Sequence, residues 1–131
     1  MEFKLHHIAI QAGDLEKSLH FYQKILGLPL IKREVSPKGR VIVWLKAGEG
    51  RIELYGGKPG QPLNSQWDQN GVGPLSIGLI VSDIEQAVNF LKMEHVPIIK
   101  LPYEPVPGER AAMISGPDGE EIVLLERPVS C

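Results

Sequence analysis

The sequence predicts an α+β fold built from two βαβββ modules. Three observations carry that prediction. Short segments alternate apolar and polar residues at strand period, an amphipathic helical stretch follows the first of them, and the same order of elements restarts roughly 70 residues downstream.

The first strand is Leu5-His6-His7-Ile8-Ala9-Ile10. Leu5, His7 and Ala9 face one way; His6, Ile8 and Ile10 face the other. Gly13-Asp14 supplies a turn and an N-cap. Leu15, Leu19, Tyr22, Ile25 and Leu26 then recur at helical spacing, which predicts an amphipathic helix over residues 15–26. Gly27 stands where a C-cap glycine belongs, and Pro29 discourages continuation. Further strands are expected at 30–35 and 41–45, joined by the Ser36-Pro37-Lys38-Gly39 turn, and at 51–55 after Gly48-Glu49-Gly50.

The pattern breaks between Gly56-Gly57-Lys58-Pro59-Gly60 and Gly71-Val72-Gly73-Pro74, a polar stretch holding Trp67 that reads as a linker. The order then restarts. Ser76-Ile77-Gly78-Leu79 matches His7-Ile8-Ala9-Ile10, and Ser82-Asp83-Ile84-Glu85 matches Gly13-Asp14-Leu15-Glu16, cap included. Val96-Pro97-Ile98-Ile99 matches Leu28-Pro29-Leu30-Ile31 after a one-residue deletion. Arg110-Ala111-Ala112-Met113 matches Arg40-Val41-Ile42-Val43, and Glu121-Ile122-Val123-Leu124-Leu125 matches Arg51-Ile52-Glu53-Leu54-Tyr55. Ala87, Val88 and Phe90 match Ser18, Leu19 and Phe21 within the helices, and co-linear matches across six elements identify a duplication rather than chance likeness. The expected organisation is one domain, with module one over 1–57, a linker over 58–74 and module two over 75–131.

Each helix should cover the sheet face to which Ile8, Ile10, Ile52 and Leu54 point. The other face is left to line a concavity with His7, Ala9, Arg51, Glu53 and Tyr55 from module one, and with Ser76, Gly78, Glu121, Val123 and Leu125 from module two. Two such sheets side by side would make a curved surface with a cleft.

Composition bounds the function. The chain has 131 residues, 43% hydrophobic and 23% charged, with a net charge of -2, so no electrostatic footprint for nucleic acid or an anionic membrane is expected. No apolar run approaches the ~20 residues that span a bilayer. Met-Glu-Phe-Lys-Leu-His-His turns polar too soon for a signal peptide, and the single cysteine, Cys131, rules out an intrachain disulfide. A cytoplasmic protein is the expectation, and half-open sheets with edges to cover suggest a homodimer.

His7 and Glu53 are the polar residues that need a reason on the cleft face. A histidine and a carboxylate on neighbouring inward strand positions suit a divalent transition metal. They equally suit a general acid/base pair, because a carboxylate fixes the tautomer of an imidazole and raises its basicity. A hydrogen-bonded structural histidine and an exposed strand glutamate are the alternatives.

The run Leu5-His6-His7-Ile8-Ala9-Ile10, then Asp14-Leu15-Glu16-Lys17-Ser18, then Phe21-Tyr22-Gln23-Lys24-Ile25-Leu26-Gly27, resembles the opening of the vicinal oxygen chelate superfamily. Asp83-Ile84-Glu85 and Gly116-Pro117-Asp118-Gly119 fit the same pattern, so the resemblance covers essentially the whole chain. It implies the glyoxalase/bleomycin resistance/dihydroxybiphenyl dioxygenase fold, with two βαβββ modules paired into a curved, cup-like sheet around one divalent metal. The resemblance is greatest to small members such as methylmalonyl-CoA epimerase and glyoxalase I. By that resemblance His7 and Glu53 are metal ligands from the first module. The second module should supply a histidine where Ser76 stands and a glutamate where Val123 stands. Half of the ligand set is therefore absent from the sequence.

Two functions follow as expectations. One is a glyoxalase- or epimerase-like lyase or isomerase acting next to a carbonyl, with a degenerate metal site and with Glu53 or Glu121 moving the proton. The other is a metal-free small-molecule binding or antibiotic-resistance protein of the bleomycin-binding kind, in which the cup encloses its ligand. A metal-free His7–Glu53 acid/base dyad is a third arrangement. Arg51, Tyr55, Ser76 and Val123 are the expected substrate contacts, and Arg40, Arg51 and Arg110 offer two-pronged grips for an anionic group. The parity of the first strand sends His6 to the helix side as a structural residue. His20 and His95 read as surface or packing residues. Pro102-Tyr103-Glu104-Pro105-Val106-Pro107-Gly108 is expected to replace part of a strand with a stiff loop.

Overall fold

A computed structural model describes residues 1–37, 39–56 and 76–126. The linker expected over 58–74, with Trp67, lies outside the described residues. The chain divides into two compact units, Met1–Leu63 and Asn64–Cys131.

In the first unit β1 (His7–Gln11) leads into α1 (Leu15–Leu19), whose last turns continue as a π-helical segment, His20–Ile25. Then come β2 (Leu30–Val35), β3 (Val41–Ala47) and β4 (Gly50–Tyr55). The sheet order is β1-β4-β3-β2, with β1 parallel to β4 and the other pairs antiparallel. A parallel β1–β4 pair needs a long crossover, and the helix and hairpin between them supply it. Asp14 caps α1 by accepting from the Lys17 amide at 3.2 Å.

The helix packs on the face carrying Val43, Leu45, Ile52 and Leu54, all at most 2% exposed. The register places Ile8 beside Ile52 and Ile10 beside Leu54, so the alternation read from the sequence holds along β4 and its neighbours. The widened turn differs from the regular helix expected over 15–26. The Leu26 amide donates to the Phe21 carbonyl at 2.9 Å, five residues back, and adjacent Phe21 and Tyr22 are both buried with their rings edge to face. Hydrophobic spacing alone does not separate such a segment from an α-helix.

The second unit repeats the plan: β5 (Ile77–Val81), α2 (Ile84–Met93), β6 (Ile98–Tyr103), β7 (Arg110–Ser115) and β8 (Glu121–Glu126), in the order β5-β8-β7-β6. Asp83 caps α2 through the Gln86 amide at 3.0 Å, as Asp14 caps α1. Ile84, Val88 and Leu91 of α2 are buried, as are Ala112, Ile114, Ile122 and Leu124 of the sheet. Pro102 corrects one expectation: it belongs to β6 rather than to a loop that replaces strand. β6 is an edge strand with register shifts on both sides of Lys100, a place where a missing N–H is tolerated. Among the described residues no helix is long and apolar enough to cross a membrane.

Candidate metal and acid–base site

The face of the first sheet turned away from the helix carries the polar residues. Register places Arg51 beside His7, Glu53 beside Ala9, and Tyr55 beside Gln11. On the other side of β4, Lys46, Trp44 and Ile42 stand opposite Arg51, Glu53 and Tyr55. Glu53 therefore sits mid-sheet between a small alanine and a tryptophan, and its side chain is only 2% exposed.

His7 and Glu53 do come together. His7 Nδ1 lies 3.0 Å from Glu53 Oε2, an ion-pair distance. The contact is not aligned as a hydrogen bond, and Oε2 remains a buried acceptor without a donor. The other carboxylate oxygen is satisfied, since the Tyr55 hydroxyl donates to Oε1 at 3.2 Å. Burial, then the charge of Glu53, then that hydrogen bond raise the Tyr55 phenol above its ordinary value, with Arg40 pulling it the other way.

His6 corrects the parity reading. β1 begins at His7, so His6 lies outside the ladder and strand alternation does not bind it. Its ring turns to the open face, with Nδ1 2.8 Å from His7 Nδ1 and the ring 6.1 Å from Trp44. His6, His7 and Glu53 each present a ligand atom within 4.8 Å of the others. The signal for His6 in the sequence was only its adjacency to His7. Trp44 was also missed, although its alternation with Val43 and Leu45 places an aromatic on the open face.

Trp44 is held from three sides. Its Nε1 donates to Glu34 at 3.0 Å, while Lys32 Nζ lies 4.8 Å and Arg51 Cζ 5.3 Å from its ring. Arg51 thus stands on the open face beside the cluster. Arg40 donates to the Gln11 side chain through one terminal nitrogen and stacks over Tyr55 at 4.9 Å, while its buried Nε has no hydrogen-bond partner. Arg110 is engaged by Glu85, whose hydrogen bond raises the guanidinium further above its ordinary value. His20 and His95 are exposed.

In the second unit the corresponding positions are Ser76, exposed just before β5, and Val123, in register with Gly78. Glu121 shares Val123's face at the start of β8 and is half-buried opposite Ser115.

The first-unit donors fit a divalent cation. A buried carboxylate oxygen with no donor is costly, and two imidazole nitrogens face the same small volume. Imidazole with carboxylate is a donor set for first-row divalent metals.

Comparison with known proteins agrees with this architecture. A relative from Neisseria meningitidis serogroup A, a lactoylglutathione lyase, is 49% identical over 37 residues, and this match spans only 28% of the chain and 27% of that enzyme. A probable lactoylglutathione lyase from Synechocystis is 28% identical over 92% of both chains. The crystal structure of a superfamily member from Sphaerobacter thermophilus is 28% identical, superposes with a TM-score of 0.70, and shares 96% of this chain and 98% of its own. Residues 4–124, both units together, match the family model itself. The repeated βαβββ plan and that match place the chain in one family: it belongs to the glyoxalase/bleomycin resistance protein/dioxygenase superfamily.

Proposed function

We propose that the protein is a glyoxalase- or epimerase-like lyase or isomerase that acts on a small molecule next to a carbonyl, with a divalent metal held through His7 and Glu53. The observation that carries this reading is the buried Glu53 Oε2, which has no donor and lies 3.0 Å from His7 Nδ1. A metal bound there would polarise a substrate carbonyl and so acidify the adjacent C–H. Glu53 takes up that proton and returns it to the same carbon or its neighbour; Glu121 is the second proton carrier to test. Tyr55 holds the Glu53 carboxylate by its Oε1 and, with Arg51, contacts substrate. Ser76 and Val123 are assigned substrate contact rather than ligation. A homodimer, a cytoplasmic location and one functional domain made of both units belong to the same proposal.

The test is proton exchange in D2O, followed by proton NMR on 2-oxoaldehyde–thiol adducts and on 2-substituted acyl thioesters, alongside elemental analysis. Exchange that chelator abolishes, and that is lost in Glu53→Gln, is the expected result. Exchange that is indifferent to chelator and to both His7→Gln and Glu53→Gln would overturn the reading.

Ser76 and Val123 favour a second reading, a metal-free binder of small molecules in the manner of bleomycin-resistance proteins. Val123, Leu125 and Ile80 give that face of the second unit an apolar lining suited to a ligand rather than an ion. A thermal-shift hit that survives chelator supports the binder, and one that vanishes with it supports the enzyme.

A further inference from the structure

Two protein ligands leave a catalytic metal weakly held, because such sites usually have three. The two second-unit positions that would add to them hold a serine and a valine. The first unit contains another donor that strand alternation hid. His6 precedes β1, and its ring meets that of His7 edge to face at 5.1 Å between centroids.

The hydrogen-bond geometry around His7 Nδ1 is frustrated. This nitrogen lies 2.8 Å from His6 Nδ1 and 3.0 Å from Glu53 Oε2. One ring nitrogen carries at most one proton, directed along one line, so it cannot serve both neighbours. Oε2 is the atom left without a donor. A divalent cation, by contrast, accepts several lone pairs at once. His6, His7 and Glu53 offer three within 4.8 Å, with two donors exposed and the third buried.

We propose that His6 is the third protein ligand, so that a His–His–carboxylate metal site is built wholly within the first unit and dispenses with Ser76 and Val123. The inference rests on the metal reading given above and extends it. Three protein ligands with further positions left open is the composition of catalytic rather than closed structural sites. It also gives a physical reason why Ser76 and Val123 can stand where they do: the ligand duty has moved to the residue before His7.

The full chain, stripped by chelator, is titrated with zinc by calorimetry and with cobalt(II) by visible absorption; circular dichroism checks each metal-free variant. Wild type is expected to bind one ion. His6→Gln should weaken binding by more than about 100-fold, beyond the ~10–100-fold typical of removing a group that only orients a ligand, and should change the cobalt band pattern. Ser76→Ala and Val123→Ala should leave metal affinity unchanged. A His6→Gln protein that keeps the wild-type cobalt spectrum with an affinity loss under about 100-fold overturns the ligand role of His6. In that case loss of binding in His7→Gln and Glu53→Gln leaves the two-ligand reading standing. Weakened binding in Ser76→Ala or Val123→Ala overturns the single-unit site. A wild-type chain that binds neither ion overturns this inference and the metal part of the proposed function together.

Discussion

Glu53 Oε2 lies 3.0 Å from His7 Nδ1 yet accepts no hydrogen bond, although the carboxylate is almost wholly buried. In the metal-free chain that is a destabilising arrangement. Glutamine keeps the shape, keeps an oxygen for the Tyr55 hydroxyl, and brings an amide donor beside His7 Nδ1. Glu53→Gln is therefore expected to stabilise the chelator-treated protein by about 1–3 kcal/mol in urea denaturation, the penalty of an unsatisfied buried group. Added zinc should reverse the order, because only wild type gains binding energy on folding. A variant less stable than wild type in chelator would show that the carboxylate is satisfied without metal.

Tyr55 links the site to alkaline pH. Burial first, then the charge and hydrogen bond of Glu53, raise its phenol above the ordinary 10.0. The folded chain thus holds the proton more tightly than the unfolded one. That stabilisation is fully present below the ordinary value and is lost as pH rises through the higher folded value. Wild-type stability should therefore fall more steeply than that of Tyr55→Phe above about pH 10. Near neutrality the same variant should lose about 1 kcal/mol for the bond to Glu53 Oε1. Parallel stability curves across the alkaline range would remove Tyr55 from the account.

The duplication was legible because period and caps repeat: Asp14 and Asp83 each accept from an amide three residues on. The face of Glu53 was legible because parity along β4 fixes it, whereas its place beside Ala9 depends on the β1–β4 pairing, which alternation does not give. Strand ends were not legible either. Leu5 and His6 continue the alternation, but the pairing of β1 starts at His7, opposite Arg51, and alternation carries no information about where a partner strand runs out. That one boundary decided His6, which parity sent to the wrong face. The π-helical turn was hidden because Phe21 and Tyr22 fit an α-helical pattern as readily as a wider one.

The two units end their helices with different residues in the same backbone state. Gly27 has φ 74° and His95 φ 62°. After each, the chain closes back onto its helix, with the Leu28 amide on the Tyr22 carbonyl at 3.0 Å and the Val96 amide on the Leu91 carbonyl at 2.9 Å. A β-carbon is strained in that region, so His95→Gly should gain about 1 kcal/mol of stability. Gly27→Ala should lose about as much from backbone strain alone, because an added Cβ there meets nothing within 4 Å. His95→Ala, which keeps the strain, is the control. Equal stabilities for His95→Gly and His95→Ala would assign the effect to the imidazole instead.

Gly56 directly follows Tyr55 and donates its amide to the Val41 carbonyl at 2.8 Å. A Cβ built on it would lie 2.7 Å from Leu15 Cδ2 and 2.9 Å from Leu15 Cβ. Rotating Leu15 relieves the first clash but not the second, so the start of α1 must move off the sheet. Gly56→Ala should therefore cost about 1–3 kcal/mol, the range for overpacking. At Gly116 the added Cβ meets the Glu120 carboxylate at 2.3 Å, a nominally worse clash with a flexible chain end. Moving that end aside breaks the 2.8 Å bond from the Asp118 amide, a loss of about 1 kcal/mol. Denaturation midpoints should rank Gly116→Ala above Gly56→Ala despite the shorter distance. Zinc affinity adds a second readout. If α1 yields, as the geometry dictates, β4 keeps Glu53 in register and the affinity of Gly56→Ala stays at wild type. A loss of affinity would show that the strain runs into β4 instead.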